Sequence, residues 1–518
     1  MRALYIYGAA LILLCPGCGG EPEVPVSPLE LPSIEPGKVL RLSEEDPVGY
    51  RVVQESGLGP GILLSFPPLE YGNFPLKSVR VAGRVEAGTD VMINGLPAVV
   101  YPTGSFAYLI PLSRDTGAIT ITARSGSGET VYAIPVIRAE SKPEKRQFAA
   151  FKSPRLGRVK KSHTALQLLP ARVRLLTMAV GTVLKITGSD GEYLRVDLDG
   201  GLTAWVRSSA VELMGDAGAG PFRAGNVEFI GSQDQAHFSL QTSVPVRVEY
   251  ISPSELKVIF YNTVVDTRTI NLGDWKGDCR WSQDRDGRAV FHLRGAPGCS
   301  RWSIKWEGEG YRLAWKGRPG WGKEKVVCID PGHGGDQWGA VSPGGISEKE
   351  ANLKLAELVT GRLKREGVKT VLSRGSDTGV GLYERLDRAR SAGADIFLSL
   401  HYNSVGDDRD PLSRSGCAVF YYHPPARELA GSIYGSLKEI GLEGSGVRWS
   451  SLAVIRPTDM IAVLAEVAFL SHPEDEAKVL DPVFREKTAA AIVEGVLVYL
   501  RKEVPKVQKR VPKVPKVR

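Results

Sequence analysis

The sequence predicts a multidomain chain: a series of all-β modules followed by a C-terminal α/β domain built on a twisted, mainly parallel sheet. Three observations carry that prediction. Between residues 77 and 316, short runs of alternating apolar and polar residues recur between Gly, Asn and Asp turns, the period-two pattern of half-buried strands. From Val326 onward, β-branched runs alternate with stretches of helical period, which implies strands joined by crossover helices. Pro-rich and basic stretches separate these regions and close the chain.

Residues 1–20 carry one positive charge, Arg2, and an apolar run from Ala3 to Leu14 that is short for a bilayer span and reads as a secretion signal. Cys18, between Gly17 and Gly19-Gly20, resembles a bacterial lipoprotein acceptor, although Cys15 stands where leucine is usual. Membrane attachment through Cys18 and plain cleavage nearby both stay open; either way a periplasmic or cell-envelope location is expected. Residues 21–75 are Pro- and Glu-rich and then weakly strand-like, the expectation being a linker with a weak β region. Residues 76–140 hold five or more short strands, among them SVRVAGRV (78–85) and AITITARS (118–125). They resemble a small immunoglobulin-like sandwich, for which a spacer role is expected.

Residues 141–158 read as a basic linker. Residues 159–214, a glycine-punctuated hairpin followed by Ala204-Trp205-Val206, resemble a small bacterial Src-homology-type barrel, with ligand binding and plain packing both open. Residues 224–317 alternate strongly and suit a further β-domain. Cys279 and Cys299 both lie there and, in an exported protein, are the natural disulfide candidates; Cys328 and Cys417 fall in core strands as free thiols. Residues 504–518 form a basic disordered tail, since Pro505, Pro512 and Pro515 interrupt any helix. Residues 501–518 hold eight Lys/Arg and one Glu, a net +7 out of +8 for the whole chain. The body is thus close to neutral, which argues against nucleic acid as a partner. The tail is either a solvated segment or one drawn to anionic wall polymers or headgroups.

Within the α/β domain, residues 325–503, the pattern predicts strands at 326–330, 368–373, 395–401, 417–422, 452–455 and 461–468. Helices are expected at 348–366, 381–392, 425–440 and 474–502. The first strand stops at Pro331-Gly332, so His333 should occupy a loop at a strand's carboxyl end, where open α/β sheets place ligands. Ser347-Glu348-Lys349-Glu350 has the form of a capping box, which puts Glu348 in a first helical turn facing the same rim. The run Ala394 to Leu400 ends in His401, again at a carboxyl end. Two imidazoles and a carboxylate leave a fourth tetrahedral position open, as a catalytic zinc requires. By spacing alone the same residues fit a surface histidine and a glutamate serving the helix dipole. Glu466 interrupts an apolar strand, where burial would raise its pKa; a structural salt bridge is the alternative. Asp330 is expected to shape the loop or orient a ligand imidazole. His423 and His472 lie outside this set.

Eight collinear blocks then carry a resemblance: IDPGHGG (329–335), SEKEANL (347–353), VLSR (371–374), LYERLDRA (382–389), ADIFLSLHYNS (394–404), GCAVFYY (416–422), GVRWSSLAVIR (446–456) and AVLAEVAFLSHPEDE (462–476). Through them residues 325–503 resemble the zinc-dependent N-acetylmuramoyl-L-alanine amidases of bacterial cell walls, in the type 3 catalytic domain. The resemblance implies a Zn²⁺ held by His333, Glu348 and His401, with Glu466 as the catalytic carboxylate and Arg456 binding a substrate carboxylate or the oxyanion. It implies peptidoglycan as the partner, cleaved between N-acetylmuramic acid and L-alanine in wall remodelling or daughter-cell separation. Residues 224–317 are faintly similar to wall-targeting β-domains that accompany such enzymes. Some members carry an inhibitory helix between the HYNS and GCAVFYY blocks; here Val405 to Ser415 is too short for one, so the site is expected to be unplugged in that way. Any activator protein is left unidentified. A zinc endopeptidase cutting within the stem peptide and an inactive wall-binding protein are the rival readings.

Overall fold

The computed structural model describes residues 28–43, 50–55, 59–68, 77–113, 116–136, 148–170, 174–198, 201–217, 222–228, 234–265, 270–283, 287–295, 298–319 and 325–502. The expected secretion signal with Cys18, and the expected basic tail, lie outside the described residues. Among the described residues no helix is long and apolar enough to cross a membrane.

The C-terminal sheet has six strands: β1 (Val326–Pro331), β2 (Lys369–Leu372), β3 (Ile396–Asn403), β4 (Ala418–Tyr421), β5 (Gly446–Trp449) and β6 (Ile461–Phe469). Their order is β2-β1-β3-β6-β4-β5. All neighbours pair in parallel except β4 and β6, which run antiparallel. Five helices accompany it: α1 (Glu348–Arg365), α2 (Leu382–Ser391), α3 (Arg427–Glu439), α4 (Pro473–Leu480) and α5 (Pro482–Arg501). Alternation along β1 assigns the layers. Val327 and Ile329 join the core made with α1, α3 and α5, while Val326 and Cys328 face Leu386 and Ala389 of α2. With both faces covered, β1 is buried from end to end, which explains the apolar run from Val326 to Ile329, and its one charge, Asp330, is paired. Leu355, Leu358, Val359 and Leu363 of α1 are all buried, as their helical spacing predicts.

Three local expectations need correction. The helix expected at 474–502 is two helices, because the Asp481 side chain accepts from Val483 N and, with Pro482 in the first turn, starts α5 afresh. Residues 452–455 form a 3-10 turn, Ala453–Ile455, rather than a strand, and β5 supplies the edge strand. Cys279 and Cys299 are separate buried thiols. They lie on strands of different sheets, Asp278–Gln283 and Cys299–Trp306, and burial pushes each thiol up to about 12.

The N-terminal modules also divide differently. Strands Lys38–Leu42, Tyr50–Glu55 and Ile62–Phe66 share a five-stranded sheet with Ser78–Val85 and Ser105–Pro111, so the expected weak β region supplies three of that sheet's five strands. A four-stranded sheet containing Ala118–Ser125 packs on it over one core. Strand Ala149–Val159, in the expected basic linker, pairs on both sides within a seven-stranded sheet. The first domain is not held off as a spacer. Leu29 enters the α/β core, and Gly344 N donates to Glu476 Oε1 (2.6 Å) where Arg84 and Tyr50 approach.

Candidate metal and catalytic site

After Pro331 the backbone turns through left-handed geometry, with φ of 62° at His333, 128° at Gly334 and 59° at Gly335. Such a φ is uncommon for a residue with a side chain, and two buried arginines hold it. Arg374 donates from Nε to Pro331 O (3.0 Å) and from Nη2 to Gly332 O (2.9 Å) and Lys349 O (2.7 Å). Arg385 donates from Nη2 to His333 O (2.6 Å) and pairs through Nη1 with Asp330 at 2.8 Å. Ser373 and Ser399 donate to the same Asp330 carboxylate. Asp330 therefore shapes the loop by fixing Arg385. Sequence reasoning singled out neither arginine; the signal was present only as two blocks of the resemblance.

Glu348 opens α1, but Ser347 makes no side-chain cap there. The capping-box expectation fails because the 338–341 loop folds back over the helix start. Glu348 N donates to Ala340 O (2.8 Å) and Lys349 N to Trp338 O (2.9 Å), so backbone carbonyls take the orphan donors. Ala340 N returns a bond to Glu348 Oε2 (2.8 Å). His401 stands near the carboxyl end of β3, its Nδ1 2.9 Å from Glu348 Oε1, and His333 Nε2 lies 3.2 Å from Glu348 Oε2. The two rings are 4.9 Å apart, and one donor atom from each of the three residues lies within 4.8 Å of the others. Glycine keeps the space open: a β-carbon at Gly332 would meet the His401 ring at 2.1 Å, and one at Gly339 would meet Glu348 Oε2 at 2.3 Å.

Burial by itself would raise the Glu348 pKa, but hydrogen bonds from His333 and His401 hold it well below the usual carboxylate range. Burial disfavours a charged His401, yet its bond to Glu348 and the Glu466 charge raise its pKa overall. An ionised carboxylate between two imidazoles, in a pocket kept clear by glycines, is a donor set suited to a divalent metal of the zinc type.

Glu466 lies opposite His401 in the parallel β3–β6 register, which puts both side chains on one face. Its Oε2 is buried with no hydrogen-bond partner among the described residues, and burial pushes the carboxyl up to about 7. The salt-bridge alternative finds no partner there. Arg456 is not drawn into this cluster. Its Nε donates to Ser451 Oγ (3.0 Å) and its Nη2 to Ser451 O, while Nη1 is buried without a partner among the described residues. His423 is bonded to Arg456 O (2.8 Å) and packs edge-on to Trp302; His472 caps α4 by accepting from Glu474 N. Between β3 and β4 the only helical element is the three-residue turn Pro411–Ser413.

Residues 327–498 match the family model described as N-acetylmuramoyl-L-alanine amidase. N-acetylmuramoyl-L-alanine amidase LytC of Bacillus subtilis (strain 168) is 36% identical over 178 residues, which are 34% of this chain and 36% of LytC. Protein YqiI of the same organism is 37% identical over 177 residues, 33% of this chain and 83% of YqiI. Among solved structures, N-acetylmuramoyl-L-alanine amidase AmiC2 of Nostoc punctiforme shares 34% identity, with 35% of this chain and 99% of that chain covered and a TM-score of 0.33. The match thus spans about a third of LytC but most of YqiI, and it coincides with the domain that carries the three donors. Through that domain the chain belongs to the N-acetylmuramoyl-L-alanine amidase family.

Proposed function

We propose that the chain is a zinc-dependent hydrolase of the cell envelope that cleaves the amide between N-acetylmuramic acid and L-alanine in peptidoglycan. The observation that carries this reading is the meeting of His333, Glu348 and His401 donors within 4.8 Å beside a buried, unpartnered Glu466 oxygen. His333, Glu348 and His401 would hold the zinc. When bound, zinc supplies Lewis-acid polarisation of the scissile carbonyl and eases deprotonation of the attacking water. Glu466 takes that proton and delivers one to the leaving amine of L-alanine, for which a carboxyl raised to about 7 is suited. Arg385 and Arg374 hold the His333 backbone so that its ring stays beside Glu348. Arg456, with one guanidinium nitrogen left over, would bind a stem-peptide carboxylate. Wall remodelling or daughter-cell separation is the process such cleavage serves.

The test is product analysis after digestion of purified peptidoglycan, with and without a zinc chelator. Stem peptides with free L-alanine amino termini, lost on chelation and restored by zinc, are expected. New amino termini inside the stem would make the chain an endopeptidase. Absence of products from zinc-loaded protein would leave it a wall-binding protein.

A further inference from the structure

The rim that carries the three donors is overhung by the N-terminal sandwich. Arg80 N donates to Asp407 O (2.9 Å), Arg80 Nη1 to Ser404 Oγ (3.4 Å) and Ser78 Oγ to Asp408 O (3.1 Å), so the β3–β4 loop is fastened to that domain. Between the two domains lies a cleft of about 550 Å³, within the range of ligand sites. Trp338, Gly339 and Asp336 line one side; Phe66, Pro68 and Arg80 line the other. The cleft leads to the site already described. A β-carbon on Gly339 would meet Glu348 Oε2 at 2.3 Å and His333 Cδ2 at 2.7 Å, and Ser404, three residues beyond His401, also lines it.

We infer that this cleft is a subsite for the glycan strand, completed by the N-terminal sandwich; the inference rests on the amidase reading above and names where its sugar portion lies. An indole and a phenyl ring offer negatively charged faces to the C–H groups of a sugar. Asp336, Asp407 and the Ser404 hydroxyl offer acceptors for sugar hydroxyls, and charged acceptors make the stronger bonds. Charge decides between the two parts of the substrate. Among the described residues the cleft sets two carboxylates against one guanidinium, Arg80, which itself lies 4.4 Å from the Phe66 ring centroid and 3.8 Å from Asp407. A stem peptide rich in carboxylates meets net like charge there, whereas a neutral N-acetylated amino-sugar unit does not. The indole is held in place, with Lys349 Nζ 5.2 Å from its centroid and bonded to Asp377 (2.6 Å).

Calorimetric titration of the whole zinc-loaded chain with the neutral N-acetylglucosamine tetramer, and separately with a free stem-type tetrapeptide, tests the assignment. The tetramer is expected to bind, and Phe66→Ala and Trp338→Ala are each expected to weaken it by about fivefold or more, the scale of one aromatic contact. Asp336→Asn, at an exposed position where folding is not at stake, is expected to weaken it by a smaller factor. Equal tetramer affinity in the parent and all three variants overturns the subsite, as does binding of the tetrapeptide alone with the same sensitivity. Product analysis on the same preparations keeps the two readings apart. Amidase products with variant-insensitive sugar binding remove the subsite only, whereas sugar binding lost in these variants without amidase products removes the reaction only.

Discussion

The two ends of the C-terminal sheet use the same residue types to opposite effect. At the carboxyl end, a buried Arg385–Asp330 pair holds a glycine-rich loop, two imidazoles flank a glutamate, and a cleft opens beside them. At the amino end, Asp395 precedes β3 and accepts from Arg301 of the 222–317 domain and from Val326 N (3.2 Å). There Trp302 N donates to Thr458 O (2.6 Å), and His423 is packed against Trp302 with its ring bonded to a carbonyl. At one end buried arginines of the same domain hold the loop and a cleft opens toward the N-terminal domain; at the other the 222–317 domain docks directly on the strand ends. An imidazole next to an ionised carboxylate has its protonated form favoured, whereas one enclosed by packed groups is driven to the neutral form by burial even though it is bonded to a carbonyl. The surroundings, rather than the residue type, set the histidines of the donor cluster apart from His423.

The sharpest way to test this contrast is Glu466→Gln, which should lower amide hydrolysis by roughly a hundred- to ten-thousand-fold while bound zinc is retained, read by product release and metal content. Loss of zinc in that variant would show that Glu466 belongs to the donor set. Next in size, Asp330→Ala leaves the buried Arg385 without its carboxylate partner and should cost about 3–5 kcal/mol in denaturant unfolding, with weaker zinc binding because the His333 loop loosens. At the closed end, Arg301→Met should cost less, about 1–3 kcal/mol, since it leaves one carboxylate short of a donor, and kcat should not change. A fall in kcat would mean that the two ends communicate.

The smallest effect is a pH dependence. Burial lowers the His423 pKa to about 4 from 6.5, with Arg456 O opposing and Arg247 adding to the shift. Between those values the unfolded chain binds the extra proton, so stability rises with pH across that window and is lost on acidification through it. His423→Gln should flatten this part of the curve of melting temperature against pH, and an unchanged slope would show that the ring is not sealed.

Much of the carboxyl-end site was legible in the chain. His333, Glu348 and His401 each follow or open an element whose periodicity is strong, and a strand end or first helical turn fixes which way a side chain faces. Glu466 was legible as an acidic interruption of an apolar strand. Arg374 and Arg385 were not, because an arginine bonded to carbonyls more than forty residues away leaves no local pattern. Ser347 misled for a related reason. Its sequence context fits a side-chain cap, but the returning 338–341 loop reached the helix donors first.

By itself the sequence indicated β-rich modules followed by an α/β domain and put His333, Glu348 and His401 at one rim of it, because hydrophobic period and strand termini act over a few residues. It could not settle which strands share a sheet: Lys38–Leu42 and Ile62–Phe66 read as weak pieces until they pair with Ser78–Val85, and Ala149–Val159 read as linker until it joined a seven-stranded sheet. Nor could it show that the first domain forms a wall of the cleft beside His333. Pairing and docking are won by contacts between residues far apart in sequence, through surface buried only when the domains meet, and no local pattern encodes that.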